Sequence, residues 1–166
     1  MPLIIEEISK SHDRKNFDCG VPELNQFLQQ QARQKSAKHI AKTYVACQQD
    51  APGKIAAYYT LTGCSVISPP EHKLYKQYPH PLSAVKLARL AVDLKHQGKG
   101  LGELLLVDAI RRTVLVAEQI STIGLFVDPM TEGVVPFYQQ YGFLNVEASR
   151  LEMWLPIKTC TDLLKN

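Results

Sequence analysis

The segment with the clearest capacity for chemistry is Gln97-Gly98-Lys99-Gly100-Leu101-Gly102, in which every second residue from Gly98 is a glycine. Glycine lacks a Cβ and tolerates unusual backbone dihedrals, so the N–H groups of such a turn can approach an anion closely. Apolar residues then recur with helical spacing over 101–118. A helix that begins at the turn contributes unpaired N–H groups and the positive end of its dipole. The segment therefore predicts a cradle for a pyrophosphate.

The order of the glycines argues against two other kinds of phosphate site. It does not follow GxxxxGK[ST], the pattern of a nucleotide P-loop. A dinucleotide fingerprint that starts at Gly98 requires its third glycine at the position of Glu103. The remaining alternative is a glycine-rich turn that only connects a strand to a helix, and the turn alone does not decide between that and an anion site.

The segments around this turn predict a mixture of strands and helices. An apolar run over 83–94 predicts a largely buried strand that leads into the turn. Helical spacing of apolar residues, with Pro22 near the first turn, predicts a helix over 21–34. Strands and helices around one sheet give the α/β or α+β class. The other predicted elements are strands over 2–9, 43–48, 54–67 and 120–128, a helix over 131–142, and a closing antiparallel pair over 142–149 and 150–157.

Length and composition predict a single domain over 1–166, with an ordinary globular balance of 45% hydrophobic and 21% charged residues. We expect no membrane span, because no apolar stretch approaches about 18 residues, and no signal peptide, because the start lacks a basic segment before an apolar one. The four cysteines form no CxxC pair, which favours a reduced cytoplasmic protein without a metal. A net charge of +3 is compatible with a polyanionic partner.

Two motifs resemble those of the GNAT N-acetyltransferases. Residues 97–102 match the family's Q/R-x-x-G-x-G/A motif, and PFYQQYGF over 136–143 resembles its downstream F-Y-x-x-x-G-F element. The resemblance implies the GNAT fold, a mixed and mostly antiparallel central sheet that splays at its fourth strand and is flanked by helices. It implies acetyl-CoA as co-substrate, with its pyrophosphate on 97–102. LARLAVD over 87–93 resembles the family's central strand, so the pantetheine arm would lie along Leu90, Ala91 and Val92.

The resemblance also implies how the residues share the chemistry. A main-chain N–H at Leu90 or Val92 would stabilise the oxyanion that forms when an amine attacks the thioester. Tyr138 falls at the position of the general acid, and a tyrosine with a pKa near 10 stays protonated at neutral pH. Tyr141 is a competitor for that role, whereas Phe137 and Phe143 fit a packing role better. No general base is evident among Glu6, Glu7, Glu71, His72 and His80.

The N-terminal half resembles a narrower group, the GNAT toxins of bacterial type II toxin–antitoxin modules. The resemblance is carried by FDCGVPELNQFL over 17–28, by a basic helix and by KTYVAC over 42–47. It implies acetylation of the α-amino group of aminoacyl-tRNA, which blocks translation, and a ribbon-helix-helix antitoxin as partner. It is also compatible with a homodimer. An α-amine has a pKa of about 8, so much of it is already neutral and the lack of a base matters less.

Basic residues offer weak independent support for a tRNA substrate. One stretch of ten residues contains Arg33, Lys35, Lys38, His39 and Lys42, and the segment before the glycine turn contains Lys73, Lys76, Lys86 and Arg89. The candidate tRNA contacts among them are Arg33, Lys35, Lys38 and Arg89. They could hold tRNA phosphates, but a solvated helix face is the commoner fate of such runs. Two other functions stay open. One is acetylation of a small-molecule or protein amine, and the other is a non-catalytic acyl-CoA-binding protein, against which the turn and Tyr138 argue.

Overall fold

The computed structural model describes residues 2–66, 78, 81–146 and 151–165. Its strands form one seven-stranded sheet in the order β1-β2-β3-β4-β5-β7-β6. The strands are β1 Leu3–Glu7, β2 Lys42–Gln48, β3 Ile55–Val66, β4 Leu82–Val92, β5 Gly124–Val127, β6 Leu144–Asn145 and β7 Met153–Pro156. The helices are α1 Pro22–Gln30, α2 Ala32–Ala37, α3 Leu101–Gln119, α4 Val135–Gln139 and α5 Ile157–Leu164, and 3₁₀ turns cover Leu94–His96 and Glu132–Val134.

The sheet is mixed, as predicted. The pairs β1–β2, β2–β3, β5–β7 and β6–β7 are antiparallel, whereas β4 and β5 run parallel. The parallel pairing covers Val85–Leu87 opposite Leu125–Val127. β5 ends at Val127, the partner of Leu87, but β4 runs on to Val92. Parallel pairing therefore covers only part of β4. The predicted fold class, a mostly antiparallel sheet with flanking helices, is confirmed.

The chain divides into two compact units, and the first contains residues 1–62 and 88–109. Phe27, Leu28 and Ala32 are buried at the helical spacing that the sequence predicts. They belong to one apolar cluster, in which the Tyr58 ring stacks on Phe27 with centroids 6.4 Å apart. The other members of this cluster are Ile8, Phe17, Cys19, Val45, Cys47, Ile55 and Ala91.

The second unit contains residues 63–87 and 110–166. Its apolar cluster is built around Trp154, whose ring stacks on Phe126 at 5.8 Å, and the other buried members are Ala84, Ile123 and Val146. Gly124 has a φ of 147°, and a Cβ there would lie 2.2 Å from the Leu155 carbonyl oxygen. Only glycine therefore allows β5 and β7 to approach this closely.

Two predicted helices differ from the structure, and one helix was not predicted. The helix expected over 21–34 is divided at Gln31, whose dihedrals of −126° and −31° leave the helical region. The helix expected over 131–142 is a 3₁₀ turn followed by the five residues of α4, because Pro136 suits only the first turn of a helix. No helix was predicted after 157, yet α5 forms there and buries Cys160. Within the described residues, no helix is long and apolar enough to cross a membrane.

Candidate functional site

The glycine-rich turn of the first unit has the backbone geometry that its sequence predicts. Gly98 and Gly100 adopt φ values of 78° and 81°, in the left-handed region that favours glycine. A Cβ at either position would meet no atom within 4 Å, so the glycines serve the dihedrals rather than a tight contact. Residues 97–100 are exposed, and the buried Leu101 begins the 19-residue helix α3. Exposed N–H groups at the start of a long helix suit an anion such as a pyrophosphate.

The side chain of Gln97 is engaged within the protein. Its Nε2 donates to the carbonyl oxygens of Val92, at 2.9 Å, and Cys19, at 3.1 Å. A bound phosphate at this turn would therefore meet backbone N–H groups and Lys99 rather than the Gln97 amide. The two bonds fix the point at which the chain leaves β4 and enters the turn.

Asp93, between β4 and the turn, has a structural role that the sequence did not indicate. Its carboxylate accepts hydrogen bonds from the backbone N–H groups of Asp18, at 3.0 Å, and Lys95, at 2.9 Å. The residue is buried, with 8% of its surface exposed. Tyr59 and Asp108 were also missed: the Tyr59 hydroxyl donates to the Asp108 carboxylate at 2.5 Å and ties β3 to the first half of α3.

The predicted pantetheine strand alternates between two environments. Ala91 is buried in the apolar cluster of the first unit, whereas Leu90 and Val92 are half-buried. This alternation follows from the two-residue period of a strand. Arg89 stacks its guanidinium on the Phe27 ring, 3.6 Å from the centroid. Stacking through the flat face leaves the N–H groups at the edge of the guanidinium directed away from the ring.

The structure brings two of the four predicted tRNA-contacting residues to one place. Lys35 Nζ lies 5.6 Å from the centroid of the Phe27 ring on which Arg89 stacks. Arg33 is half-buried on α2, and its buried Nε has no hydrogen-bond partner among the described residues. Lys38 is exposed at the end of α2 and shares no described contact with Phe27. Within the described part of the chain, none of these four side chains pairs with a carboxylate.

Other basic residues have partners or lie outside the description. Lys42 Nζ is 3.0 Å from the Glu7 carboxylate. Lys86 Nζ is 2.5 Å from Asp128, and this hydrogen bond raises the pKa of Lys86. Lys73 and Lys76 lie outside the described residues. The predicted basic surface thus narrows to Arg33, Lys35, Lys38 and Arg89, with the exposed His39 beside Lys38.

Tyr138, in the second unit, lies in an aromatic cluster. Its ring makes edge contacts with Phe137 and Phe143, with centroids 5.0 Å and 5.3 Å away. Burial raises the pKa of Tyr138 to about 12, so the phenol is fully protonated at neutral pH. Its hydroxyl makes no hydrogen bond to any described residue. Tyr141 is half-buried and packs edge-on against Phe137 at 5.9 Å.

The candidate bases on β1 are held by neighbours. Glu6 Oε1 lies 3.0 Å from Nε2 of the buried His12. Glu7 accepts a hydrogen bond from the Ser36 hydroxyl at 2.7 Å, which lowers the pKa of Glu7. Glu71, His72 and His80 are outside the described residues. Among those described, no group of three or more His, Cys, Asp or Glu side chains could hold a metal ion.

Comparisons with known proteins show the family to which this chain belongs. The model of the acetyltransferase (GNAT) domain matches residues 17–158. A relative from Mycobacterium tuberculosis, a tRNA-acetylating toxin, is 30% identical over 158 residues, which cover 95% of this chain and 93% of the relative.

Two solved structures are similar over the whole chain. AtaT complexed with acetyl-methionyl-tRNAfMet has a TM-score of 0.89 at 28% identity and covers 99% of this chain and 100% of its own. A tyrosine-to-phenylalanine mutant of the AtaT toxin, bound to the C-terminus of the antitoxin AtaR and acetyl-CoA, has a TM-score of 0.83 at 27% identity and covers 100% of both chains. The family model alone matches residues 17–158, which are most of the chain. This chain therefore belongs to the GNAT acetyltransferase family.

Proposed function

We propose that this chain transfers the acetyl group of acetyl-CoA to the α-amino group of an aminoacyl-tRNA in the cytoplasm and thereby blocks translation. The observation that carries the proposal is the exposed turn with Gly98 and Gly100 at positive φ, which opens α3 in a chain of the GNAT family. The tRNA acceptor is supported by the similar proteins, a tRNA-acetylating toxin and AtaT complexed with acetyl-methionyl-tRNAfMet.

Acetyl-CoA would be held mainly by backbone. Residues 97–102 would bind its pyrophosphate through N–H groups and the positive end of the α3 dipole. The pantetheine arm would extend along Leu90, Ala91 and Val92. A main-chain N–H at Leu90 or Val92 would stabilise the negative charge that develops on the thioester oxygen. The open space around Gly98 and Gly100 fits this assignment, since a Cβ at either position would have no atom within 4 Å apart from its chain neighbours.

The leaving CoA thiolate requires a proton, and we assign its donor to Tyr138. Burial keeps this phenol protonated by raising its pKa to about 12. Its hydroxyl has no described partner that would compete for the proton. The similar AtaT toxin bound to acetyl-CoA is a mutant with a tyrosine-to-phenylalanine change. Tyr141 is the matched residue without the assigned role.

The acceptor would be held by four cations of the first unit that pair with no carboxylate among the described residues. Arg89 is held against the Phe27 ring, 3.6 Å from its centroid. Because this contact already restricts the side chain, its N–H groups could bind a phosphate at little entropic cost. Arg33, Lys35 and Lys38 would add contacts that weaken with salt. The attacking α-amine has a pKa of about 8, so a substantial fraction is neutral without a base from the protein.

A cognate ribbon-helix-helix antitoxin is the partner that such a toxin requires. The similar AtaT toxin is bound to the C-terminus of the antitoxin AtaR. On this chain, the antitoxin tail would cover the basic residues and the acetyl-CoA entrance, because blocking either stops the reaction. A homodimer is compatible with this arrangement.

The test is transfer of labelled acetyl groups to a panel of acceptors. We expect label on aminoacylated tRNA and none on the same tRNA after deacylation. Spermidine and a peptide with free α- and ε-amines are the comparison acceptors. Faster transfer to either of them than to charged tRNA would contradict the acceptor assignment while leaving the acetyltransferase activity intact.

A further inference from the structure

Residues 18–20, here the 18–20 segment, are tied to the bend before the pyrophosphate turn through Asp93. The Asp93 carboxylate uses both oxygens: Oδ2 accepts from the Asp18 N–H at 3.0 Å, and Oδ1 accepts from the Lys95 N–H at 2.9 Å. The backbone N–H of Asp93 donates to the Ala56 carbonyl on β3 at 2.9 Å. Asp93 is thus a buried carboxylate that accepts hydrogen bonds from two backbone N–H groups. Its neighbouring titratable group is His96, whose Nδ1 lies 3.9 Å from Asp93 Oδ1.

Gln97 makes a second tie to the same segment. Its Nε2 bonds the Cys19 carbonyl at 3.1 Å and, at the end of β4, the Val92 carbonyl at 2.9 Å. Leu94 adds a backbone bond, donating to the Asp18 carbonyl at 2.8 Å. The bend between β4 and the turn is therefore held at both ends. We call the side-chain contacts of Asp93 and Gln97 with the 18–20 segment the Asp93–Gln97 bridge.

The 18–20 segment is also hydrogen-bonded to α1, the helix that contributes to the proposed binding surface for the tRNA acceptor. Asn25, in α1, donates through Nδ2 to Asp18 Oδ1 at 2.9 Å and accepts from the Cys19 N–H at 2.9 Å. The same helix carries Phe27, on which Arg89 stacks. One continuous set of hydrogen bonds thus runs from the turn through the 18–20 segment to α1.

We propose that Asp93 and Gln97 are positioning residues for acetyl-CoA. The bridge fixes the place at which the pyrophosphate turn begins and holds it in register with α1, so that the N–H groups of the turn face the ligand before it arrives. Preorganised donors bind more tightly because little ordering is lost on binding. This inference depends on the proposed placement of the pyrophosphate on 97–102 and assigns a function to two side chains that do not themselves touch the ligand.

The test compares two variants that cut the bridge at different atoms. Asp93→Asn keeps the size of the side chain but leaves one acceptor for two backbone donors, and Gln97→Met keeps the length but removes the donor. Acetyl-CoA affinity is measured by titration calorimetry, kcat and KM by acetyl transfer to charged tRNA, and the fold by circular dichroism and Tm. Asp13→Asn is the matched control, since Asp13 bonds Asn16 and not the bridge.

We expect each bridge variant to raise the Kd and KM for acetyl-CoA about tenfold. This factor corresponds to the loss of one charge-assisted or buried hydrogen bond. The kcat at saturating acetyl-CoA should change much less. The double variant should lose less than the product of the single losses, because both residues hold the same segment. Asp13→Asn should bind acetyl-CoA as the parent does.

Folded bridge variants with a lowered Tm and a parental Kd would overturn the inference, because they would show a role in stability alone. If Asp93→Asn does not fold, Gln97→Met decides: a raised Kd supports the bridge and a parental Kd overturns it. Gly100→Asp separates this failure from failure of the proposed site. Undiminished binding by Gly100→Asp would show that the pyrophosphate lies elsewhere, which overturns the site and the bridge together.

Discussion

The glycine turn and the aromatic cluster around Tyr138 are built in opposite ways. Residues 97–100 are exposed, and their proposed function resides in backbone N–H groups at positive φ. Tyr138 is 5% exposed, and its proposed function resides in one hydroxyl among packed rings. A backbone site fails when a dihedral changes or when a new side chain brings charge into it. A buried side-chain site fails when the functional atom or the ring is lost. The two regions should therefore fail differently when mutated.

Tyr138→Phe gives the largest expected effect. It removes the hydroxyl and keeps the ring, so the packing of the cluster should survive. Loss of a positioned acid should lower kcat by roughly 10²–10⁴. Acetyl-CoA affinity should change little, since the interaction develops as the C–S bond breaks. Steady-state rates and calorimetry on the same preparation give both values.

Tyr141→Phe is the control for this effect. Tyr141 belongs to the same cluster and packs edge-on against Phe137, but it has no assigned proton to donate. Its kcat should stay within a few-fold of the parent. Equal losses in the two variants would remove the assignment of the acid to Tyr138.

Gly100→Asp gives the converse pattern. Aspartate tolerates left-handed dihedrals better than most residues, so the fold should persist at a φ of 81°. Its charge, however, enters the pyrophosphate cradle. Acetyl-CoA at about 100 times its Kd should stabilise the parent by about 2.7 kcal/mol, and the variant should lose most of this thermal shift. Gly63→Asp adds the same charge at an exposed glycine with open space around it and should keep the shift.

The turn and its flanking elements could be predicted because their signals are local. The strand predicted over 83–94 is Leu82–Val92, and the helix predicted over 101–118 is Leu101–Gln119. A run of apolar residues marks the strand, and closely spaced glycines mark the turn, so both can be recognised from neighbouring residues alone. The turn alone leaves open whether it is an anion site or a plain connection, and the resemblance to the family motif favours the anion site.

The features that the sequence analysis predicted wrongly or did not predict depend on distant or weak signals. The break at Gln31 contains neither glycine nor proline, so nothing local marks it. Asp93 contacts Asp18 across 75 residues of sequence, and no spacing rule predicts that pair. α5 does have a local signal, because Pro156 immediately precedes the helix and Ile157 and Cys160 recur at helical spacing. The assigned role of Tyr138 stays a prediction.

Arg89→Gln extends the comparison of the glycine turn with the Tyr138 cluster to a third kind of site. Here the proposed function resides in a charged side chain that lies against a buried aromatic ring. Loss of one phosphate contact should raise the KM for charged tRNA about tenfold. The number of counterions released on binding, measured from the salt dependence of affinity, should fall by about one. The KM for acetyl-CoA should not change. Lys158→Gln, an exposed cation on α5, is the matched control and should leave both values as in the parent. A parental tRNA KM for Arg89→Gln would place the acceptor elsewhere.

The smallest expected effect is on the alkaline side of the pH profile. Burial raises the pKa of Tyr138 to about 12, so the phenol keeps its proton well above neutral pH. If it is the acid, kcat at saturating substrates should show no alkaline decline between about pH 7 and 9, because less than about one part in a hundred of the phenol is then ionised. A stable amide-linked aminoacyl-tRNA analogue avoids hydrolysis of the ester. A decline with an apparent pKa in this interval would indicate a different acid.

The most direct test of the proposed function identifies the acetylated atom. The parent and Tyr138→Phe are incubated with acetyl-CoA and charged tRNA, the aminoacyl groups are released by mild alkali, and the products are analysed by mass spectrometry. We predict N-acetyl amino acids, modified on the α-nitrogen, from the parent and only traces from the variant. Unmodified amino acids from an active parent enzyme, or equal amounts of acetylated product from both proteins, would contradict the account.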